Sequence, residues 1–163
     1  TRYGTVTGVQ TCALPISLTH SMAKQAGVRV LHNAAPAHEI TAEELTFIDV
    51  LIVNEHELTL AANMAHHSSD DEKAEGLLSK GVSAVVLTLG AKGAKLYEKG
   101  KEPVSVAAVP TQVVDTTGAG DAFVGALAAA LASAVSLETS IARANAYAAR
   151  VCGVMGAQTA PID

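Results

Sequence analysis

The chain has 163 residues, 49% of them apolar, and a formal charge of −5 at pH 7. That length points to one domain or a piece of one, and with two Phe, three Tyr and no Trp the core must be built from Ala, Val, Leu and Ile. The acidic balance and the lack of any basic run argue against nucleic acid and acidic membrane surfaces as partners, no apolar run reaches the ~18 residues of a membrane span, and two Cys without framework spacing suggest a reduced, cytoplasmic setting.

The first segment, "TRYGTVTGVQTCALPI" (1–16), has neither a helical nor a strand period and no continuous apolar stretch of the kind a signal peptide carries. Val6–Ile16 resembles, residue for residue, the translation of a sequencing-library adapter. Residues 1–16 are therefore expected to be non-native, with the natural chain starting near Ser17. Setting them aside removes one charge, Arg2, and leaves one cysteine, Cys152, read as a small apolar core residue.

From Ser17 onward, apolar runs of strand length alternate with helical patterns. "VRVLHN" (28–33) reads as a buried strand, and "TAEELTFI" (41–48) as a short helix opened by a Thr41…Glu44 capping box. "DVLIVN" (49–54) is a second strand, "EHELTLAANM" (55–64) has helical composition, and "HHSSDD" (66–71) is a loop. Ser69 and Glu72 form another capping box, opening a helix that runs to Lys80 and stops at Gly81. "VSAVVLTLG" (82–90) is a continuous apolar strand of the kind buried on both faces. "AKLYEKGKEPVSVAAV" (94–109) reads as a hairpin turning at Lys99-Gly100, and two long helices follow at about 118–134 and 137–155, with Ser136 as cap between them. Alternating strands and helices predict an α/β fold with βαβ units and a mainly parallel sheet. In such sheets ligands collect beyond the carboxyl ends of the strands, which predicts one rim for Asn33, Asn54, Thr88–Gly90 and the 115–121 loop. No internal repeat, low-complexity tract or second domain is visible.

The chemistry concentrates in "DTTGAGD" (115–121). Its glycines permit the tight turn of a loop entering a helix, and the amides around Gly118, Ala119 and Gly120 converge where helix polarity favours negative charge, an anion hole. Asp121 beside it reads either as a favourable first-turn acid or as a base that takes the proton of an attacking hydroxyl while the amides hold phosphoryl charge. Other phosphate motifs fail: Phe123 stands where a dinucleotide fingerprint needs glycine, and no Gly-Lys-Ser/Thr triplet exists. "HELTL" (56–60) carries Leu60 where a zinc-protease helix needs its second His, and His66-His67 sit in a polar loop, so no metal is assigned to either.

"DTTGAGDAF" resembles the carboxyl-terminal signature of the ribokinase-like, phosphofructokinase-B type carbohydrate kinases. Four further stretches follow that family's order: "NAAPA" (33–37), "NEHE" (54–57), "TLGAKG" (88–93) and "GAQTA" (156–160). The likeness runs from about Ser17 to Asp163 and covers only the second half of a family member. It implies a three-layer αβα fold with its amino-terminal half missing. It also implies transfer of the ATP γ-phosphate to a sugar hydroxyl: D-ribose to ribose 5-phosphate first, with fructose, ketodeoxygluconate or a nucleoside as alternative acceptors. By the same resemblance Asp121 is the base and Gly118, Ala119 and Gly120 the anion hole. Asn54 and Glu57 then act on the Mg²⁺–phosphate side, Glu57 through water, and Thr88, Gly90, Gly93 and Asn145 line the nucleotide. Asp115 with the carbonyls of Thr117, Val151, Val154 and Gly156 matches a monovalent-cation (K⁺) site, although Ala160 replaces a frequent hydroxyl residue there. Plainer readings stand beside these: a solvated helix residue for Glu57, a hairpin turn for Gly93, an exposed helix polar residue for Asn145. The sugar pocket belongs mostly to the missing half, so the chain alone is expected to be inactive, and the full-length protein is a candidate homodimer. From another class, a non-catalytic nucleotide-binding module would keep the anion hole without a sugar half.

Overall fold

The structure, a computed structural model, describes residues 2–3, 16–64 and 67–156. The chain divides into two compact units, Thr1–Thr88 with Leu96–Pro103, and Leu89–Lys95 with Val104–Asp163.

The first unit is built on parallel strands. β1 (Arg2–Tyr3) pairs with β2 (Val28–Arg29), and β3 (Leu31–Asn33), β4 (Val50–Asn54) and β5 (Ala84–Thr88) lie side by side. β4 and β5 are buried along almost their whole length, as unbroken apolar runs demand. Three helices are associated with these strands: α1 (Ile16–Gln25) contacts β2, α3 (Glu55–Ala62) contacts β4 and β5, and α4 (Asp70–Ser79) contacts β5. Leu51, Ile52, Val53, Leu58, Leu77 and Leu87 fill the core. α2 (Ala42–Leu45) is one turn, and the Thr41–Glu44 box closes its start in both directions, as the Ser69–Glu72 box does for α4. The helix expected over 41–48 thus shortens to four residues, and the strand expected over 28–33 is broken at Val30. There the Val30 N–H donates to Asp49 Oδ2 at 2.8 Å, while the Val30 carbonyl accepts from Asp49 and Val50. The same carboxylate receives Lys24 Nζ at 2.7 Å, tying the end of α1 to the sheet. Helix α1 itself was not anticipated from the sequence.

β6 (Ala94–Glu98) follows β5 after only five residues, too short a link for a parallel crossover, so the two run antiparallel. Tyr97 lies in the first unit, where its hydroxyl donates to Asp71 Oδ1 at 2.7 Å; burial and then the Asp71 carboxylate push the phenol above its ordinary range.

The second unit begins with a 3₁₀ turn (Gly90–Lys92), includes Ala94 and Lys95 of β6, and continues through β7 (Val104–Val106) into α5 (Ala119–Ala132) and α6 (Leu137–Cys152). The two helices pack on each other, α5 burying Phe123, Val124, Leu127 and Leu131 and α6 burying Ile141, Ala144 and Val151. Ser136 caps α6 as expected, accepting the Thr139 N–H. The expected helices end two to three residues early, at Ala132 and Cys152.

Ser69→Ala should lower the unfolding free energy by about 1 kcal/mol in urea, because the Glu72 N–H then loses its acceptor, whereas Ser69→Asp should change it by only a few tenths.

Candidate active site

In the first unit the parallel register brings three of the expected site residues together. Asn54 and Thr88 are direct partners across β4 and β5, and Asn33, opposite Ile52, ends the next strand over, so all three stand at carboxyl ends of strands. The Thr88 hydroxyl donates to the Val53 carbonyl at 3.3 Å. Asn54 is also the N-cap of α3: its Oδ1 accepts from Glu57 N–H at 2.9 Å, and Glu57 Oε2 accepts from Asn54 N–H at 2.8 Å. This is a capping box. Glu57 is only 9% exposed, so it is not the solvated helix residue of the plainer reading. Its Oε1 takes no hydrogen bond among the described residues, and that leaves one carboxylate oxygen to accept a ligand's proton donor while the other holds the helix start.

The second unit holds the loop. Gly118 caps α5 with φ 78°, ψ 0°, a left-handed backbone that favours glycine, and no side chain accepts from the helix start. The Ala119 N–H bonds the Thr116 carbonyl at 3.1 Å. Among the described residues the N–H groups of Gly118, Gly120 and Asp121 have no partner, so the open amides lie on either side of Ala119 and extend to Asp121 itself. Asp121 is exposed in the first turn of α5.

A hydrogen-bonded clasp secures this loop. Asp115 Oδ1 accepts from the Thr117 N–H at 2.9 Å and hydroxyl at 2.7 Å, and Oδ2 accepts from the Gly156 N–H at 3.0 Å. The Val114 and Asp115 N–H groups both reach the Cys152 carbonyl at the end of α6. The Thr117 donors, then Gly156, hold the Asp115 carboxyl below its usual range. Asp115, Thr117 and Gly156 are thus brought together. Val151 is buried and its carbonyl takes the Val154 N–H, whereas the carbonyls of Thr117 and Val154 accept nothing among the described residues. Residues 157–160 of the "GAQTA" stretch lie outside the described residues, as does His66.

Gly93 and Asn145 meet on one segment. Gly93 has φ 93°, and a Cβ there would collide with the backbone of Val106–Ala108. Asn145, 7% exposed on α6, donates both amide hydrogens to the same segment, to the Val106 carbonyl at 3.0 Å and the Ala107 carbonyl at 3.1 Å. Two carbonyls can only accept, so the amide's orientation is forced. Asn145 is therefore not the exposed helix residue of the plainer reading, and Gly93 is required by close approach as well as by its turn. Sequence reasoning missed the Asn145 anchor because its acceptors lie 38 and 39 residues away.

A groove of about 580 Å³ in the first unit, between α4 and residues 97–103, is lined by Asp71, Glu72, Glu75, Glu98 and Glu102. It lies toward the amino end of β5, where Lys99 bonds Ser83, and its acids would repel a phosphate. Among the described residues no group of His, Cys, Asp and Glu has the geometry of a metal site, and no helix is long and apolar enough to cross a membrane.

The pfkB family carbohydrate kinase profile matches residues 15–163. The chain is 35% identical to the ribokinase of Haemophilus influenzae over 146 residues, covering 88% of this chain and 47% of that protein. It superposes on the ribokinase of Thermotoga maritima with TM-score 0.81 at 33% identity, covering 90% of this chain and 50% of that one. With the Arabidopsis thaliana ribokinase complexed with ribose and ATP, the TM-score is 0.79 at 34% identity, covering 85% and 46%. The chain spans about half the length of the curated relatives it matches.

Two substitution pairs separate structure from chemistry. Glu57→Gln keeps an acceptor for the Asn54 N–H and should leave stability within about 0.5 kcal/mol, while Glu57→Ala should cost about 1 kcal/mol. Asn145→Leu strands two carbonyls and should cost about 1–3 kcal/mol, and Asn145→Asp, an acceptor facing acceptors, no less. Urea denaturation of the four variants checks both.

Proposed function

The chain belongs to the pfkB family of carbohydrate kinases, and from that premise we propose that it is the carboxyl-terminal part of an ATP-dependent sugar kinase whose first candidate acceptor is D-ribose. The observation that carries the reading is the open start of α5, where unpartnered amides flank an exposed acid. In this reading Asp121 takes the proton from the sugar hydroxyl as that oxygen attacks the γ-phosphorus, ADP leaves, and the amides of Gly118, Gly120 and Asp121 hold the charge on the phosphoryl oxygens. Ala119, whose N–H is engaged by Thr116, contributes backbone shape. Thr88, Gly90, Gly93 and Asn145 serve the nucleotide side, Gly93 and Asn145 by fixing the 106–108 segment.

Mg²⁺ fits the residues present. The open Glu57 Oε1 can accept from an ion-bound water, and Asn54, fixed in the same capping box, stands beside Thr88. When bound, the ion would neutralise phosphate charge. A monovalent cation such as K⁺ would find oxygen donors in Asp115 and the open carbonyls of Thr117 and Val154, with Gly156 tied to Asp115 beside them, while the Val151 carbonyl is partly engaged. The ribose preference rests on the ribokinase relatives, one of them complexed with ribose and ATP. Fructose, ketodeoxygluconate and nucleosides are the competing acceptors. Residues 1–16 are taken as adapter-derived, the setting as cytoplasmic, and a homodimer as the candidate full-length assembly.

Two measurements test this. In a full-length protein carrying this sequence, Asp121→Asn should lower kcat at least ~10²-fold with ATP affinity retained; unchanged function would favour a non-catalytic nucleotide-binding module. The 163-residue chain alone, given ATP and ribose, should show no turnover. A rate near the ~10 s⁻¹ typical of enzymes would refute that expectation.

A further inference from the structure

Three imidazoles of the first unit, none of them assigned a role in phosphoryl transfer, stack at β3. His32 of β3 lies between His20 of α1 and His38 of the following loop. Its ring centroid is 5.1 Å from the first and 5.9 Å from the second, both edge-on. His20 and His32 are 9% and 8% exposed. His20 Nδ1 and His32 Nε2 are buried without any hydrogen-bond partner. His38 Nδ1 lies 2.9 Å from the Pro36 carbonyl, which can only accept, so that nitrogen carries a proton.

A buried ring nitrogen without a partner costs stability, and a leucine at either position would avoid that cost. The arrangement also leaves no room for added charge. The titratable groups facing His32 are His20 from α1, His38 from the loop and Glu44 from α2. On β4 its register partner is the apolar Leu51. A second charged ring at His20 or His38 would repel an imidazolium at His32, and the Glu44 carboxylate already accepts from the Thr41 N–H and hydroxyl. Lys24, one turn beyond His20 on α1, is taken up by Asp49.

We propose that the His20–His32–His38 stack is a pH-sensitive latch, holding α1 and the 34–40 segment onto β3 only while its rings are uncharged. The residue after His32 is Asn33, at the carboxyl end of its strand, so release of the latch acts on the rim that carries Asn54 and Thr88. Burial first, then His20 and His38, lower His32 from 6.5 to about 4 against the opposing pull of Glu44, and burial lowers His20 as well. Between those values the unfolded chain binds protons that the folded chain refuses. The latch is therefore whole above about pH 6.5 and is lost as pH falls from there toward about 4.

The test is histidine Cε1–H NMR on the chain from about pH 8 to about pH 4, together with amide exchange of α1 and β4. His32 should titrate more than about one unit below a free histidine measured in the same buffer. Protection of the α1 amides should fall with acidification before that of β4. In His32→Leu this early loss should disappear, and if that variant does not fold, His20→Phe provides the same comparison. His32 titrating like free histidine overturns the proposal, as does an early loss of α1 protection that persists in either variant. The readout requires no kinase activity, so it stands or falls separately from the proposed function.

Discussion

Every α-helix starts with backbone N–H groups that have no partner within the helix, and the way this chain meets that requirement organises the rest. Of the helices α2 to α6, four begin on a side-chain acceptor: Thr41, Asn54, Ser69 and Ser136 each accept an N–H from the first turn. α5 alone begins on a glycine in the left-handed region with no such acceptor. A serine at that position would close the helix in the ordinary way and remove the donors that an anion needs. The start left open is the one followed by an exposed acid.

An open helix start is tolerable only if its loop is held from outside. Asp115 does this with both carboxylate oxygens, and Cys152 with one carbonyl, so the segment before α5 is fastened to the end of α6. Packing of α5 on α6 through Leu127, Leu131 and Ile141 fixes the helix that the loop enters. Ala130 is buried with Phe123 and the leucines of α5, which supply most of the buried area. The open geometry of the α5 start thus depends on contacts well beyond the loop.

Much of this was legible in the sequence because it is local. The Thr41 and Ser69 boxes, the Ser136 cap and the buried runs of β4 and β5 all follow from spacing over three to eight residues. Helix α1 and the break at Val30 were not legible, since the break depends on Asp49, nineteen residues away, competing for the Val30 N–H. The burial of Asn145 and the meeting of three histidines are likewise products of tertiary pairing, invisible to periodicity. "NEHE" is a different case. Its resemblance to a kinase motif drew attention from the capping box that the same four residues spell.

That double reading of Asn54 and Glu57 is a physical statement about how such a site is built. A carboxylate free in solvent would sample many rotamers and hold an ion-bound water poorly. Here the Asn54 N–H fixes one oxygen of Glu57 at 2.8 Å, and the Asn54 side chain is fixed in return by the Glu57 N–H. The strand register then sets Thr88 directly opposite Asn54. The cap pre-orients the remaining oxygen and places it at the carboxyl end of the sheet, so the interaction that starts α3 is also the one that aims its acid. The structural role and the chemical role proposed for Glu57 are therefore not rivals: the geometry that the second would need is a by-product of satisfying the backbone donors of the first.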